Sequence, residues 1–266
     1  GNVSAQVTAG TLHGMIGDDL VTLAGVSGAF QDRHAGVDKS VVVQYTLSGA
    51  DAGNYVVTPT GLTADITPKA LAISGSSATS KVYDGSTAAA VTAGNLTGVL
   101  ADDQVTVSGS GAFSDRHVGV GKQVLATYTL SGSEAGDYSL AGETLTADIT
   151  PKALSITGSA AADKAYDGTT TASVTAGSLS GVVSGDEVSV IASGHFTDKA
   201  AGADKTVNVS YLLGGAGAGD YSLAGDSLTA AITRAVLVIK ANDTVMVQGG
   251  PLPVFSSNID HFMISD

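Results

Sequence analysis

The chain has 266 residues, with 12 Lys+Arg against 25 Asp+Glu for a net charge of −13, 35 Gly, 5 Pro and neither Cys nor Trp. That acidity opposes binding to a phosphate backbone, which depends on Lys and Arg clusters. The lack of Cys excludes disulfides, zinc ribbons, iron–sulfur centres and thiol nucleophiles. No apolar run approaches the roughly 18–20 residues of a membrane-inserted helix, and Gly1-Asn2-Val3-Ser4-Ala5 carries no secretory leader pattern. A hydrophobic share of 43% is enough for packed cores, while charged residues stand at only 14%. A Cys-free chain also suits export in the unfolded state, as expected of a large bacterial surface protein.

In chain order, one set of segments recurs three times. Val7-Thr8-Ala9-Gly10 returns as Val91-Thr92-Ala93-Gly94 and Val174-Thr175-Ala176-Gly177. Gly28-Ala29-Phe30 returns as Gly111-Ala112-Phe113 and Gly194-His195-Phe196. Asn54-Tyr55 becomes Asp137-Tyr138 and Asp220-Tyr221, and Thr63-Ala64-Asp65-Ile66-Thr67 has counterparts at 146–150 and 229–233. The spacing is about 83 residues, a tandem array. Repeats are predicted at 1–69, 70–152 and 153–235, with the first lacking its opening strands, followed by a truncated start of a further unit at 236–266.

Within each repeat the period is two. Val105-Thr106-Val107-Ser108 and Leu71-Ala72-Ile73-Ser74 alternate, and turn signals such as Asp84-Gly85 and Gly109-Ser110-Gly111 separate the runs. No stretch shows an apolar stripe at helical spacing. Seven or eight short strands per repeat predict an all-β fold of tandem antiparallel β-sandwiches. Pro68 and Pro151 stop one strand just before Leu71-Ala72-Ile73 or Leu154-Ser155-Ile156 begins the next. With no room for a flexible linker, the repeats are expected to stack end to end as a rod, cut from a longer array.

Lys81-Val82-Tyr83-Asp84-Gly85-Ser86-Thr87 and Lys164-Ala165-Tyr166-Asp167-Gly168-Thr169-Thr170 resemble the signature of the YDG domain, as do the later Gly-Asp-Tyr-Ser-Leu and Thr-Ala-Asp-Ile-Thr-Pro-Lys-Ala-Leu segments. The tail, opening Val236-Leu237-Val238-Ile239-Lys240-Ala241-Asn242-Asp243, resembles MBG (mostly-β) repeats. The resemblance implies large filamentous haemagglutinin-like bacterial adhesins, many secreted by the two-partner route. It therefore implies an extracellular, cell-surface location and a role in cell adhesion or biofilm formation. It carries no catalytic residues.

Three constellations invite chemistry. Asp32-Arg33-His34 and Asp115-Arg116-His117 join a carboxylate, a cation and an imidazole, but the third copy reads Asp198-Lys199-Ala200, and no nucleophile stands nearby. The simpler reading is a polar loop, so no enzyme activity is expected and no catalytic, cofactor or metal residues are assigned. Asp18-Asp19, Asp102-Asp103 and Asp186-Glu187, with the recurrent acids Asp51, Glu134, Asp137 and Asp220, make calcium the one candidate ion, although each loop supplies few of the six to eight oxygens calcium takes. All eight Tyr fall at three repeat positions and Phe30, Phe113 and Phe196 at a fourth, which predicts core or corner roles; Phe255 and Phe262 are unique to the tail. Stalk or spacer repeats, partnered by their neighbours, lead as the expected function. The alternative is an adhesive segment that binds carbohydrate, host protein or itself, including strand-swapped self-association through the tail.

Overall fold

The computed structural model describes residues 2–58 and 60–260; Phe262 lies outside them. The chain is all-β, built as tandem repeats, and its helical content among the described residues is three short 3-10 turns at Ala52–Asn54, Ala135–Asp137 and Ala218–Asp220. Its contacts separate two compact units. One comprises Gly1–Lys81, Thr87–Asp115 and Gly121–Asp148; the other comprises Val82–Ser86, Arg116–Val120 and Ile149–Asp266. The cut does not follow the repeats: two short pieces of the second repeat belong with the third.

In the first unit, strands Ser4–Ala5, Thr22–Phe30, Gly36–Ser48 and Leu62–Ile66 form an antiparallel sheet in chain order. After Pro68 the chain enters Lys69–Ser74, which pairs antiparallel with Asn95–Thr97 and parallel with Tyr138–Leu140. A long hairpin, with Thr106 opposite Ser131 and Phe113 opposite Val124, carries Ala88–Ala89 on its edge.

The second unit holds the complete version of this plan. Lys164–Ala165, Asp226–Thr233, Gly202–Gly214, Ser189–Phe196 and Thr171–Ala172 lie side by side in one five-stranded sheet. Ser155–Thr157 pairs with Ser178–Ser180, and Ala160–Ala161 pairs with Val174–Thr175. The strands are more numerous and shorter than the sequence suggests, because bends at Gly158 and Gly181 (φ +80° and +96°) break runs that alternate without interruption. Pairing is also mixed: Lys152–Ala153 runs parallel to Tyr221–Ser222, and Lys164–Ala165 runs parallel to Ile232–Thr233. Parallel partners need a long crossover, and here most of the repeat intervenes. Beyond the third repeat, Val238–Ala241 pairs with the tail's own Ser257–Asp260.

Alternation decides what is buried. On Gly202–Gly214, Val207 and Val209 point inward while Thr206, Asn208 and Ser210 face water. They join Ala172, Phe196, Ala230 and Ile232 in one apolar core. The recurrent Gly-x-Phe motif has a packing reason: a Cβ on Gly194 would stand 2.5 Å from Val174 Cγ2, so only glycine lets Val174 seat beside buried Phe196. Phe113, Tyr138 and Tyr221 are buried as expected, whereas Tyr128 and Tyr211 are half-buried because their hydroxyls reach out to Glu143 and Ser159.

Candidate functional site at the repeat joints

The Asp-Arg-His segments lie in the loop between Thr22–Phe30 and Gly36–Ser48 in the first repeat and between Thr106–Phe113 and Gly119–Ser131 in the second. The Asp32 carboxylate accepts the His34 backbone N–H at 2.9 Å and pairs with Lys39, which closes the loop and leaves Arg33 and His34 pointing away from it. Lys122 closes the second loop through Asp115 at 2.6 Å. In both cases the lysine lies seven residues after the aspartate.

Each presented pair enters a socket on the following repeat. Within the first unit, Arg33 Nη2 stands 2.9 Å from Asp103 Oδ1. His34 Nδ1 lies 2.8 Å from Asp137 Oδ2, and the Ala35 N–H donates to the other oxygen of Asp137 at 2.7 Å. Tyr138 donates to Asp103 Oδ2 at 2.5 Å and receives the Leu100 N–H at 3.1 Å. A cavity of about 170 Å³ in this joint is lined by Arg33, Lys69, Asp103, Asp137 and Tyr138 among others.

The second unit repeats the arrangement and adds a component. Arg116 Nη2 lies 3.2 Å from Asp186 Oδ1, His117 Nδ1 lies 2.8 Å from Asp220 Oδ2, and the Val118 N–H donates to Asp220 Oδ1 at 2.8 Å. Here Asp186 Oδ2 accepts two phenols, Tyr221 at 2.6 Å and Tyr83 at 2.8 Å. The Tyr83 ring stands edge-on to Tyr221, with centroids 5.4 Å apart. Gly85, at φ +81°, brings its backbone so close to Val183 that a Cβ there would stand 2.8 Å from Val183 Cγ1.

Electrostatics match this geometry. Hydrogen bonds from Tyr221 and then Tyr83 hold the Asp186 carboxyl below the usual carboxylate range, with Arg116 adding to the effect. The Tyr138 hydroxyl does the same for Asp103, with Arg33 beside it. Burial alone would raise Asp137, but the Ala35 N–H and the His34 ring outweigh it and lower the group. Burial, and then the hydrogen bond to Asp186, push the Tyr83 phenol up to about 12. Asp103 Oδ1 and Asp186 Oδ1 are buried, and each faces the charge of an arginine from the preceding repeat.

The acid–base candidates and the calcium candidates thus meet at the joints. Arg33 and Arg116 stand against Asp103 and Asp186, one acid from each of two recurrent pairs. No group of three or more His, Asp or Glu suited to a metal ion occurs among the described residues. Sequence reading missed the pairing of Asp137 and Asp220 with the histidines. The available signal was the switch from Asn54 to Asp137 and Asp220 beside an unchanging tyrosine.

Comparison with known families matches the YDG domain three times, at residues 1–62, 67–147 and 150–231. This chain belongs to the YDG-domain family. In its second YDG repeat the signature has a definite use: Tyr83 bonds to the next repeat's Asp186, and Gly85 packs on Val183. No curated protein matches. Among solved structures the chain is similar to Drosophila N-cadherin EC1-3, at 9% identity over 84% of this chain and 92% of that one, with a TM-score of 0.21. It is also similar to the Clostridium thermocellum CbhA fibronectin(III)-like modules, at 12% identity over 62% of this chain and 94% of that one, with a TM-score of 0.18.

Proposed function

We propose that these YDG repeats are stalk or spacer modules of a secreted bacterial surface adhesin and hold its adhesive parts away from the cell. The observation that carries the reading is the joint. The residues with the richest chemistry, Arg33-His34 and Arg116-His117, are engaged with the next repeat rather than presented to a ligand. A protein selected for reach gains from fixing each repeat to the next, and hydrogen-bonded polar clusters that bridge two repeats favour one orientation. On this reading the tail at 236–266 opens an MBG-type repeat that continues the array. The test is to exchange the three repeats, within the parent protein on cells, for an unrelated β-domain array of equal length. Retained adhesion supports a spacer; lost adhesion with normal surface display refutes it.

One observation favours the alternative of an adhesive segment. Ile191 and Leu212 stand directly opposite each other on the third repeat, 68% and 70% exposed, where the second repeat has Ser108 opposite Thr129. An apolar pair unique to one repeat suits a contact that the others do not make. The Ile191→Ser/Leu212→Thr variant separates the two readings: a spacer keeps its adhesion.

A further inference from the structure

Tension in a tandem array enters each repeat through the chain before it and leaves through the chain after it, so the strands at those two points take the load. The third repeat is entered at Lys152–Ala153 and left at Asp226–Thr233. The entry strand runs parallel to Tyr221–Ser222, and the Leu154 N–H donates to the Ser222 carbonyl at 2.8 Å. Further along, Lys164 and Ala165 stand parallel to Ile232 and Thr233 at the end of the exit strand, and the Tyr166 N–H donates to the Thr233 carbonyl at 2.8 Å. The second repeat has the same two pairs. Lys69, Ala70 and Leu71 stand parallel to Tyr138, Ser139 and Leu140, and the Tyr83 N–H donates to the Thr150 carbonyl at 2.9 Å.

Parallel pairing fixes the direction of loading. In neighbouring parallel strands the upstream end of one and the downstream end of the other point opposite ways. A pull at the entry draws Lys152 back along its strand, and a pull at the exit draws Thr233, and through its strand Ser222, forward. Each ladder is sheared lengthwise, and its bonds are strained together. A hairpin pulled apart at its open end, such as Ser189–Phe196 with Gly202–Gly214, gives up one bond after another.

Side chains fasten these short strands. Leu154 is buried beside the entry pair. Lys164 Nζ donates to the Asp167 carboxylate at 2.8 Å and to the carbonyls of Thr169 and Thr171, each at 2.9 Å, and lies 5.7 Å from the ring centre of buried Phe196. Tyr221, opposite Lys152, directly follows Asp220, which holds His117 and the Val118 N–H. The joint and the covalent chain therefore deliver load to the same ladder. We infer that the parallel pairs are a tension clamp, which lets the second and third repeats resist unfolding when the chain is pulled at entry and exit, and that Lys164 of the YDG signature locks it. This goes beyond the spacer reading, which asks only for length, and its test reads force rather than adhesion.

The chain has no Cys, so introduced cysteine pairs give unique attachment points for single-molecule force spectroscopy of the whole chain. Thr150→Cys/Arg234→Cys loads the clamp, and Ser189→Cys/Leu212→Cys, at two exposed positions, opens the hairpin across its strands. Unfolding between 150 and 234 releases up to about 300 Å of chain, which identifies the event as the third repeat. At equal loading rate, rupture through 150 and 234 should take at least about twice the force needed through 189 and 212, because forced unfolding follows the barrier in the loaded direction. Lys164→Met should lower the first force and leave the second unchanged. Equal forces in the two directions would overturn the clamp. A Lys164→Met chain that is folded by circular dichroism and keeps full force through 150 and 234 would overturn the lock. The comparison of directions keeps every clamp residue native, so it decides even where Lys164→Met does not fold.

Discussion

Replacing Tyr83 by Phe removes one oxygen from the second joint and leaves its ring packed on Tyr221. That oxygen donates to Asp186, a carboxylate whose side chain is 1% exposed. A hydrogen bond to a charged group contributes about 1.5–3 kcal/mol. Asp186 keeps Tyr221 as a second donor, so the low end, about 1.5 kcal/mol, is expected. Asp186→Asn preserves shape but deprives Arg116 of its counter-charge; Arg116 is 43% exposed, which holds this cost to about 2–3 kcal/mol, below the range for a fully buried pair. If the two groups act as one unit, the double variant costs less than the sum of the singles by about 1 kcal/mol. A multi-repeat chain gives no single unfolding free energy. The assay is therefore native-state hydrogen exchange read over 183–196 and 207–221, which reports local opening of the third repeat. Additivity within about 0.5 kcal/mol would show that the second repeat's signature does not support the third.

Three further outcomes follow from the same structure. Phe196→Ala should cost about 3–5 kcal/mol, because Phe196 is 3% exposed at the core of the third repeat, and an unchanged melting transition would refute that placement. Gly85→Ala should destabilise more than Gly75→Ala: both glycines hold φ near +80°, but only at Gly85 does the new methyl meet stiff Val183, so Val183→Ala should recover the difference in a melting experiment. Asp103, Asp137 and Asp186 titrate lower folded than unfolded, so their stabilisation is present above about pH 4 and lost as pH falls through their depressed folded values. Exchange at 183–196 should stay constant from pH 7 to 5 after correction for intrinsic rates, and protection should fall below pH 4 unless Asp186 is already Asn.

The fold was legible because its causes are local. Alternation along Gly202–Gly214 decides which face is buried, and the Gly-x-Phe motif fixes a close approach with Val174, all within one repeat. The joint was harder to read because its partners are polar and lie about one repeat further along the chain. Nothing beside His117 points to Asp220, and an isolated Asp-Arg-His looks like a solvated turn or an acid–base set until the next repeat stands against it. The trace it leaves in sequence is a correlation shifted by one repeat. Histidine in the first and second loops goes with aspartate in the second and third sockets, while alanine at 200 and asparagine at 54 stand at the two positions outside those joints. Repeats compared at equal position show that as scattered drift. With the loop of one repeat set against the socket of the next, each histidine meets an aspartate, because these residues serve a contact between repeats rather than a property of any one of them.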